Sequence, residues 1–286
     1  MSPISGFLSL LYAKKRRYNQ TIKKERMMNI KLVAVDMDGT LLDSKKRLPE
    51  DFIPWVKSHP QVKVAIASGR QYYTLERMFH EIADRLVFIA ENGTLCFYRG
   101  EIIYKNVLKK EDVLNTLRLL EQVPYATPLL CGIKGSYMKS TQEEELANAT
   151  QYYARLNHED DLTKIALEEN IVKFAIYFRK QMAEASAHYF DALPKHLAAV
   201  VSGVSWIDVS NYDANKGAAL KSIQEQYHIS QEESMAFGDY FNDVEMLKQC
   251  KHSYAMANAH PEVKKIANFL TSSNDENGVM KILNTI

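Results

Sequence analysis

The chain has 286 residues, 46% hydrophobic and 25% charged, with a formal net charge of +1. That composition fits one large or two ordinary globular domains and excludes collagen-like, coiled-coil and disordered classes. The three cysteines, Cys96, Cys131 and Cys250, are far apart with no CxxC pair, which argues against a disulfide framework or a thiolate zinc site and suits a reducing cytosol.

Residues 1–27 hold seven of the 36 Lys and Arg but one of the 35 acidic residues, Glu25. The remainder therefore has 29 basic and 34 acidic residues and carries −5, which gives no electrostatic reason to bind nucleic acid. The apolar stretch from Gly6 to Ala13 is too short to span a bilayer, and its basic cluster follows it, whereas a secretory signal has its charge first. Nothing later reaches about 18 uninterrupted apolar residues, so no membrane partner is expected. Residues 1–27 read as a basic extension without a catalytic role.

From Met28 the pattern changes. Lys31 to Val35, Val62 to Ala67, Leu86 to Ala90 and Met235 to Phe237 are short apolar, β-branched runs of the kind buried on both faces of a parallel sheet. Helical stretches are expected between them, over Pro49–His59 and Gln71–Asp84. Such alternation predicts an α/β fold with a doubly wound, Rossmann-like parallel sheet. After about residue 108 the texture shifts. Helices are expected over Lys110–Gln122, Gln142–Leu156 and Gln181–Leu193, with strands over Ile171–Phe178 and Ala199–Val209. From Lys216 the βα alternation returns, with helices over Gly217–Tyr227, Phe241–Lys248 and Pro261–Asn268 and a strand over His252–Met256. The economical organisation is a sheet domain of residues 28–107 and 211–286 with an α+β domain, 108–210, inserted between its halves.

In open α/β sheets, ligands bind beyond the carboxyl ends of the strands. Four expected strand ends carry polar segments: Asp36-Met37-Asp38-Gly39-Thr40, Ser68-Gly69-Arg70, Glu91-Asn92-Gly93, and Gly238-Asp239 through Asn242-Asp243. Together Asp36, Asp38, Asp239 and Asp243 would repel one another unless a cation were present, and oxygen-only ligands suit a hard ion such as Mg2+. Asp36 and Asp38 alternate along a strand, but a turn begun at Gly39 would bring the second back towards the first. Different roles follow for the two, one attacking and one handling a proton. A carboxylate attacking a phosphoryl group splits one hard displacement into two easier ones. The Ser68 hydroxyl and Lys216, at the start of an expected helix, suit the phosphoryl oxygens. Gly93 indicates a turn, with Asn92 either shaping it or lining the site. Asp239 and Asp243 have a competing reading as caps of the helix near Phe241.

Asp36-Met37-Asp38-Gly39-Thr40-Leu41-Leu42, Ser68-Gly69-Arg70, Lys216-Gly217 and Gly238-Asp239 through Asn242-Asp243, in this order, resemble the four motifs of the haloacid-dehalogenase-like phosphatases. Glu91-Asn92-Gly93, Met256-Ala257-Asn258-Ala259, Asn277-Gly278-Val279 and the insertion after the third strand resemble its Cof-type branch with a large α/β cap. The resemblance covers about residues 29–286. It implies that Asp36 is the nucleophile and that Asp38 protonates the leaving oxygen and then activates water. It also implies that Ser68 and Gly69 hold a phosphoryl oxygen, that Lys216 orients Asp36, and that Asn242 touches the phosphate or its neighbours. Mg2+ would be bound by Asp36, the main-chain carbonyl of Asp38 and Asp239, with Asp243 supporting it directly or through water. Asp at position 38 favours a phosphatase over a dehalogenase. The implied substrate is a small phosphorylated metabolite such as a sugar or cofactor phosphate, with selection residing in the cap, where Lys134, Tyr137, Lys139 and Arg179 are candidate contacts.

A phosphomutase would use the same residues. A receiver-type phospho-acceptor also gathers acids, a hydroxyl and a lysine at strand ends, but is shorter and needs no second Asp two places on. No GxGxxG or GxxxxGK[ST] follows the first strand, which disfavours a nucleotide-cofactor enzyme.

Overall fold

The computed structural model describes residues 29–286; the basic extension read over 1–27 lies outside them. Fourteen strands form two sheets in the described part. The first contains β1 (Leu32–Asp36), β2 (Lys63–Ala67), β3 (Leu86–Ala90), β4 (Leu95–Tyr98), β5 (Glu101–Lys105), β12 (Ser234–Gly238), β13 (His252–Ala255) and β14 (Phe269–Leu270). Its spatial order is β14-β13-β12-β1-β2-β3-β4-β5, with β14 to β3 parallel and β4 and β5 added antiparallel at the edge. Every residue of β1, β3 and β12 is buried, as apolar runs covered by helices on both faces require.

The strand order reverses beside β1, which pairs with β2 on one side and β12 on the other. That reversal opens a crevice at the carboxyl ends of these strands. The register pairs Asp36 with Ala67 and Val35 with Phe237, so Ser68 and Gly238 emerge beside Asp36. The sheet is flanked by helices including Phe52–Ser58, Tyr72–Met78 and Lys216–Tyr227. Phe52 and Phe79 meet edge to face at 6.1 Å, and Tyr72 stacks on Phe97. The helix Lys216–Tyr227 comes so close to Val244–Lys248 that a Cβ on Gly217 would lie 2.4 Å from the Glu245 carbonyl carbon. Glycine is required there by space alone.

The chain leaves this sheet after β5 and builds the second from β6 (Ala126–Gly132), β7 (Ser136–Met138), β8 (Leu156–His158), β9 (Ile171–Phe178), β10 (Leu197–Gly203) and β11 (Trp206–Asn211). The order is β10-β11-β9-β6-β7-β8. Along β9 the side chains alternate. Phe174, Ile176 and Phe178 join a cluster with Val113, Leu162 and Ile165 from the overlying helices, whereas Ala175 joins Leu129 and Cys131 in the cluster that runs into the first sheet. The outgoing and returning connections are tied together: Asn211 Nδ2 donates to Asn106 Oδ1 (2.6 Å), and Asn106 Nδ2 donates to Asp213 Oδ1 (3.0 Å).

Three expectations are corrected here. The helix read over Gln142–Leu156 runs from Glu143 to Thr150, and Leu156 begins β8. Its continuation is pulled away by tertiary partners: the Arg155 N–H donates to Gln71 Oε1, and the Arg155 carbonyl accepts from the Ser136 N–H. The helix read over Gln181–Leu193 is broken into short turns after Lys180 and Gln181, both at positive φ. The strand read over Ala199–Val209 is a hairpin, β10 and β11, turning at Val204-Ser205.

Candidate active site

Asp36 closes β1 and is 6% exposed. Lys216, at the first turn of its helix, is fully buried and donates from Nζ to Asp36 Oδ1 (2.6 Å) and to Asp243 Oδ1 (2.7 Å). Asn215 caps that helix by accepting from the Ala218 N–H, which fixes where the lysine enters. The second oxygen of Asp243 accepts from the N–H groups of Asp239 and Tyr240 (2.9 and 3.1 Å). Asp243 therefore pins the loop after β12, as the capping reading expects, and answers the lysine at the same time. Asp239 accepts from the Thr40 hydroxyl (3.1 Å), and ligand oxygens of Asp36, Asp239 and Asp243 lie within 4.8 Å of one another.

Three carboxylates around one ammonium leave an excess of negative charge. Burial and the nearby Asp243 charge push the Asp36 pKa up to about 8 despite Lys216. Burial and the same Asp243 charge push Asp239 up to about 6. Burial opposes the Lys216 charge, but Asp243 and Asp36 outweigh it and hold the ammonium above the ordinary lysine range. A donor set of this kind, all oxygen and under-neutralised, fits a hard divalent cation.

Asp38 stands apart from the triad. Gly39, at φ +86°, makes the turn in which Asp38 bridges to Leu42. A Cβ at Gly39 would lie 2.4 Å from Asp239 Oδ2, so glycine meets both a backbone and a spatial demand. The Asp38 side chain is 38% exposed and is gripped by Arg70 (Nη2 to Oδ1 2.8 Å, Nε to Oδ2 3.1 Å) and Lys46 (2.7 Å). Burial works against its charge, but the Arg70 and Lys46 hydrogen bonds outweigh it and hold Asp38 below the usual carboxylate range.

Ser68 is buried at the end of β2, its hydroxyl accepting from the Arg70 N–H (3.2 Å). Gly69 lies against Asn92, whose Nδ2 would be 3.1 Å from a Cβ there. Asn242 Nδ2 donates to Asn92 Oδ1 (3.1 Å), which joins the β3 turn to the β12 loop. Asn258 donates to the Gly39 carbonyl (2.7 Å) and accepts from the Asn274 N–H, while Asn274 Nδ2 donates to the Leu42 carbonyl. Both late asparagines thus brace the turn after β1. Among the candidate contacts in the inserted segment, Tyr137 donates to Glu169 and Arg179 pairs with Glu145; neither is joined to the acidic cluster. Sequence reasoning assigned no role to Lys46, Arg70 or Thr40.

A model of the haloacid dehalogenase-like hydrolases matches residues 33–283. The chain belongs to that family. Among curated relatives, it is 30% identical over 266 residues to the Escherichia coli 5-amino-6-(5-phospho-D-ribitylamino)uracil phosphatase YbjI, covering 91% of this chain and 97% of that protein. It is 27% identical over 267 residues to a Bacillus subtilis phosphatase with the same substrate in its name, YitU, covering 88% and 96% of the two chains. Among solved structures, a Streptococcus mutans protein superposes with a TM-score of 0.77 at 29% identity, covering 89% of this chain and 98% of that one. The chain is a haloacid dehalogenase-like phosphatase of the Cof-type branch. Among the described residues no helix is long and apolar enough to cross a membrane.

Proposed function

We infer that this phosphatase is Mg2+-dependent and hydrolyses a small phosphorylated metabolite through a phosphoryl group held covalently on Asp36. The observation that carries the reading is the buried Lys216 set between Asp36 and Asp243 with Asp239 alongside. Lys216 takes one oxygen of Asp36, which orients the carboxylate and leaves its other oxygen to attack phosphorus in line. As the Asp36 oxygen–phosphorus bond forms and the bond to the leaving oxygen breaks, Asp38 gives that oxygen a proton. Asp38 then takes a proton from water, which attacks phosphorus and frees Asp36 and inorganic phosphate.

Asp38 is held ionised by Arg70 and Lys46, the state suited to the second step. An arriving phosphoryl group competes for those two cations and relaxes their grip, which favours the protonated form needed first. Ser68, Gly69 and Asn242 border the space for phosphoryl oxygens. Asp36, the Asp38 carbonyl and Asp239 would hold Mg2+, with Asp243 supporting from behind, since both its oxygens already accept hydrogen bonds. When bound, the ion neutralises the carboxylate cluster and draws charge from the phosphoryl oxygens.

Residues 28–107 and 211–286 serve as the catalytic core and 108–210 as the cap, which excludes water and selects the leaving group. The substrate named for YbjI and YitU is a first candidate. The reading is tested by hydrolysis of p-nitrophenyl phosphate with Mg2+ and with EDTA, and by Asp36→Asn. Metal-dependent turnover lost in the variant is expected; undiminished turnover in Asp36→Asn would overturn the covalent route.

A further inference from the structure

A second buried ion cluster lies where the two sheets meet. Lys173, the single charged residue of β9, is 3% exposed. Its Nζ lies 2.7 Å from Glu91 Oε2, 3.0 Å from Asp208 Oδ2 and 3.4 Å from the Tyr153 hydroxyl. Glu91, 2% exposed, follows β3 of the first sheet, whereas Lys173, Asp208 and Tyr153 belong to the second unit. One ion pair therefore crosses between them, shielded from water, where a lost partner leaves an uncompensated charge.

The turn that Lys173 grips is unusual. Glu91, Asn92 and Gly93 follow one another at φ +51°, +56° and +97°. Two consecutive non-glycine residues in this region persist only where their surroundings hold them. The same turn touches three site segments. The Asn92 N–H donates to the Ser68 carbonyl (2.9 Å) and the Glu91 N–H to the Arg70 carbonyl (3.1 Å). Asn92 meets Gly69 and Asn242. Gly93 packs on the Asn215–Lys216 peptide so closely that a Cβ would lie 2.3 Å from the Asn215 carbonyl. The turn is thus the common neighbour of Ser68, Lys216 and Asn242, and among the described residues its ionic anchor comes from β9.

We propose that Lys173 is a positioning residue which, through Glu91, holds the Glu91-Asn92-Gly93 turn and thereby sets Ser68 and Asn242, which border the phosphoryl oxygens, and Lys216, which orients Asp36. Asp208 is its companion within the second sheet. Lys173 does this without touching substrate.

The inference rests on the phosphatase reading, which Mg2+-dependent turnover by the wild type tests separately. Lys173→Met, Glu91→Gln and the double variant are compared with wild type as full chains. The readouts are p-nitrophenyl phosphate turnover, which makes few demands on the second sheet, and calorimetric binding of inorganic phosphate, which needs no turnover. Misplacement of the turn should lower kcat/KM by about 10- to 100-fold and weaken phosphate binding in either single variant. The double variant should be no worse than the poorer single one, since both remove the same link. Glu91→Gln keeps the side-chain shape, so it reports even if Lys173→Met fails to fold. Lower melting temperatures with kcat/KM and phosphate binding within about twofold of wild type would overturn the proposal and leave the cluster a plain interdomain contact. Additive losses in the double variant would overturn the route through Glu91.

Discussion

Two buried lysines, each between two carboxylates, divide the work of this molecule differently. Lys216 meets Asp36 and Asp243 at strand ends of the first sheet, and a third carboxylate, Asp239, stands within reach. Lys173 meets Glu91 and Asp208 between the sheets, with the Tyr153 hydroxyl 3.4 Å away. The first cluster is short of positive charge and sits at the crevice; the second is closer to balance and sealed. An excess of carboxylates beside a crevice calls for a cation and a reacting group, whereas a sealed pair calls for a fixed geometry.

The sharpest way to separate the clusters is to neutralise one acid in each. Asp36→Asn should abolish turnover, by at least about a thousandfold, with the fold retained; steady-state kinetics and circular dichroism check this. Lys216→Met should come next. It leaves Asp36 and Asp243 buried without their shared cation, so both melting temperature and activity should fall, by about 3 kcal/mol of stability in a denaturant titration. The losses for Lys173 and Glu91 variants should be smaller and shared between turnover and phosphate binding.

Metal addition should separate the clusters by pH. The raised Asp36 pKa of about 8 means that the metal-free fold binds this proton more tightly than the unfolded chain does. The group therefore penalises the fold progressively from the ordinary carboxylate range upward, fully above about pH 8. Mg2+ needs the ionised carboxylate and relieves that penalty. The melting-temperature increment on adding Mg2+ should grow from about pH 6 to about pH 8.5, and a flat increment would place the ion elsewhere. The smallest effect is expected at Lys46, which is mostly exposed. Lys46→Ala leaves Arg70 on Asp38 and should change kcat/KM by a few-fold at most, about 1 kcal/mol or less.

The first cluster was legible from sequence because its members follow apolar runs whose burial fixes strand ends. Asp36, Ser68 and Asp239 could be assigned to one crevice from that pattern, and Lys216 only from its place in order among those motifs, since a lysine opening a helix reads by itself as a solvated one. The family itself was legible from the same segments, and the comparisons agree with it. The second cluster was not legible. Lys173 interrupts the run Ile171–Phe178, a lone charge at a position that alternation assigns to one sheet face, and that was a usable signal. Its partner Glu91 lies 82 positions earlier in the chain, and no local pattern joins the two. Boundaries in the second unit failed for a related reason. The segment from Tyr152 to Leu156 has helical neighbours, but Thr74, Gln71 and Ser136 take its backbone groups, and tertiary contacts override propensity. The N-cap Asp161, accepting from Thr163 and Lys164, marked the helix Leu162–Glu168 and was overlooked.

The stapling of Asn106 to Asn211 and Asp213 makes the second sheet a cassette. Its two ends enter and leave the first sheet at one knot, so exchanging it for a relative's segment leaves the host's strand order untouched and leaves one junction to rebuild. The knot also sets the condition for a working chimera. An incoming segment must bring a cation to Glu91, or the host inherits a stranded carboxylate in its own Glu91-Asn92-Gly93 turn.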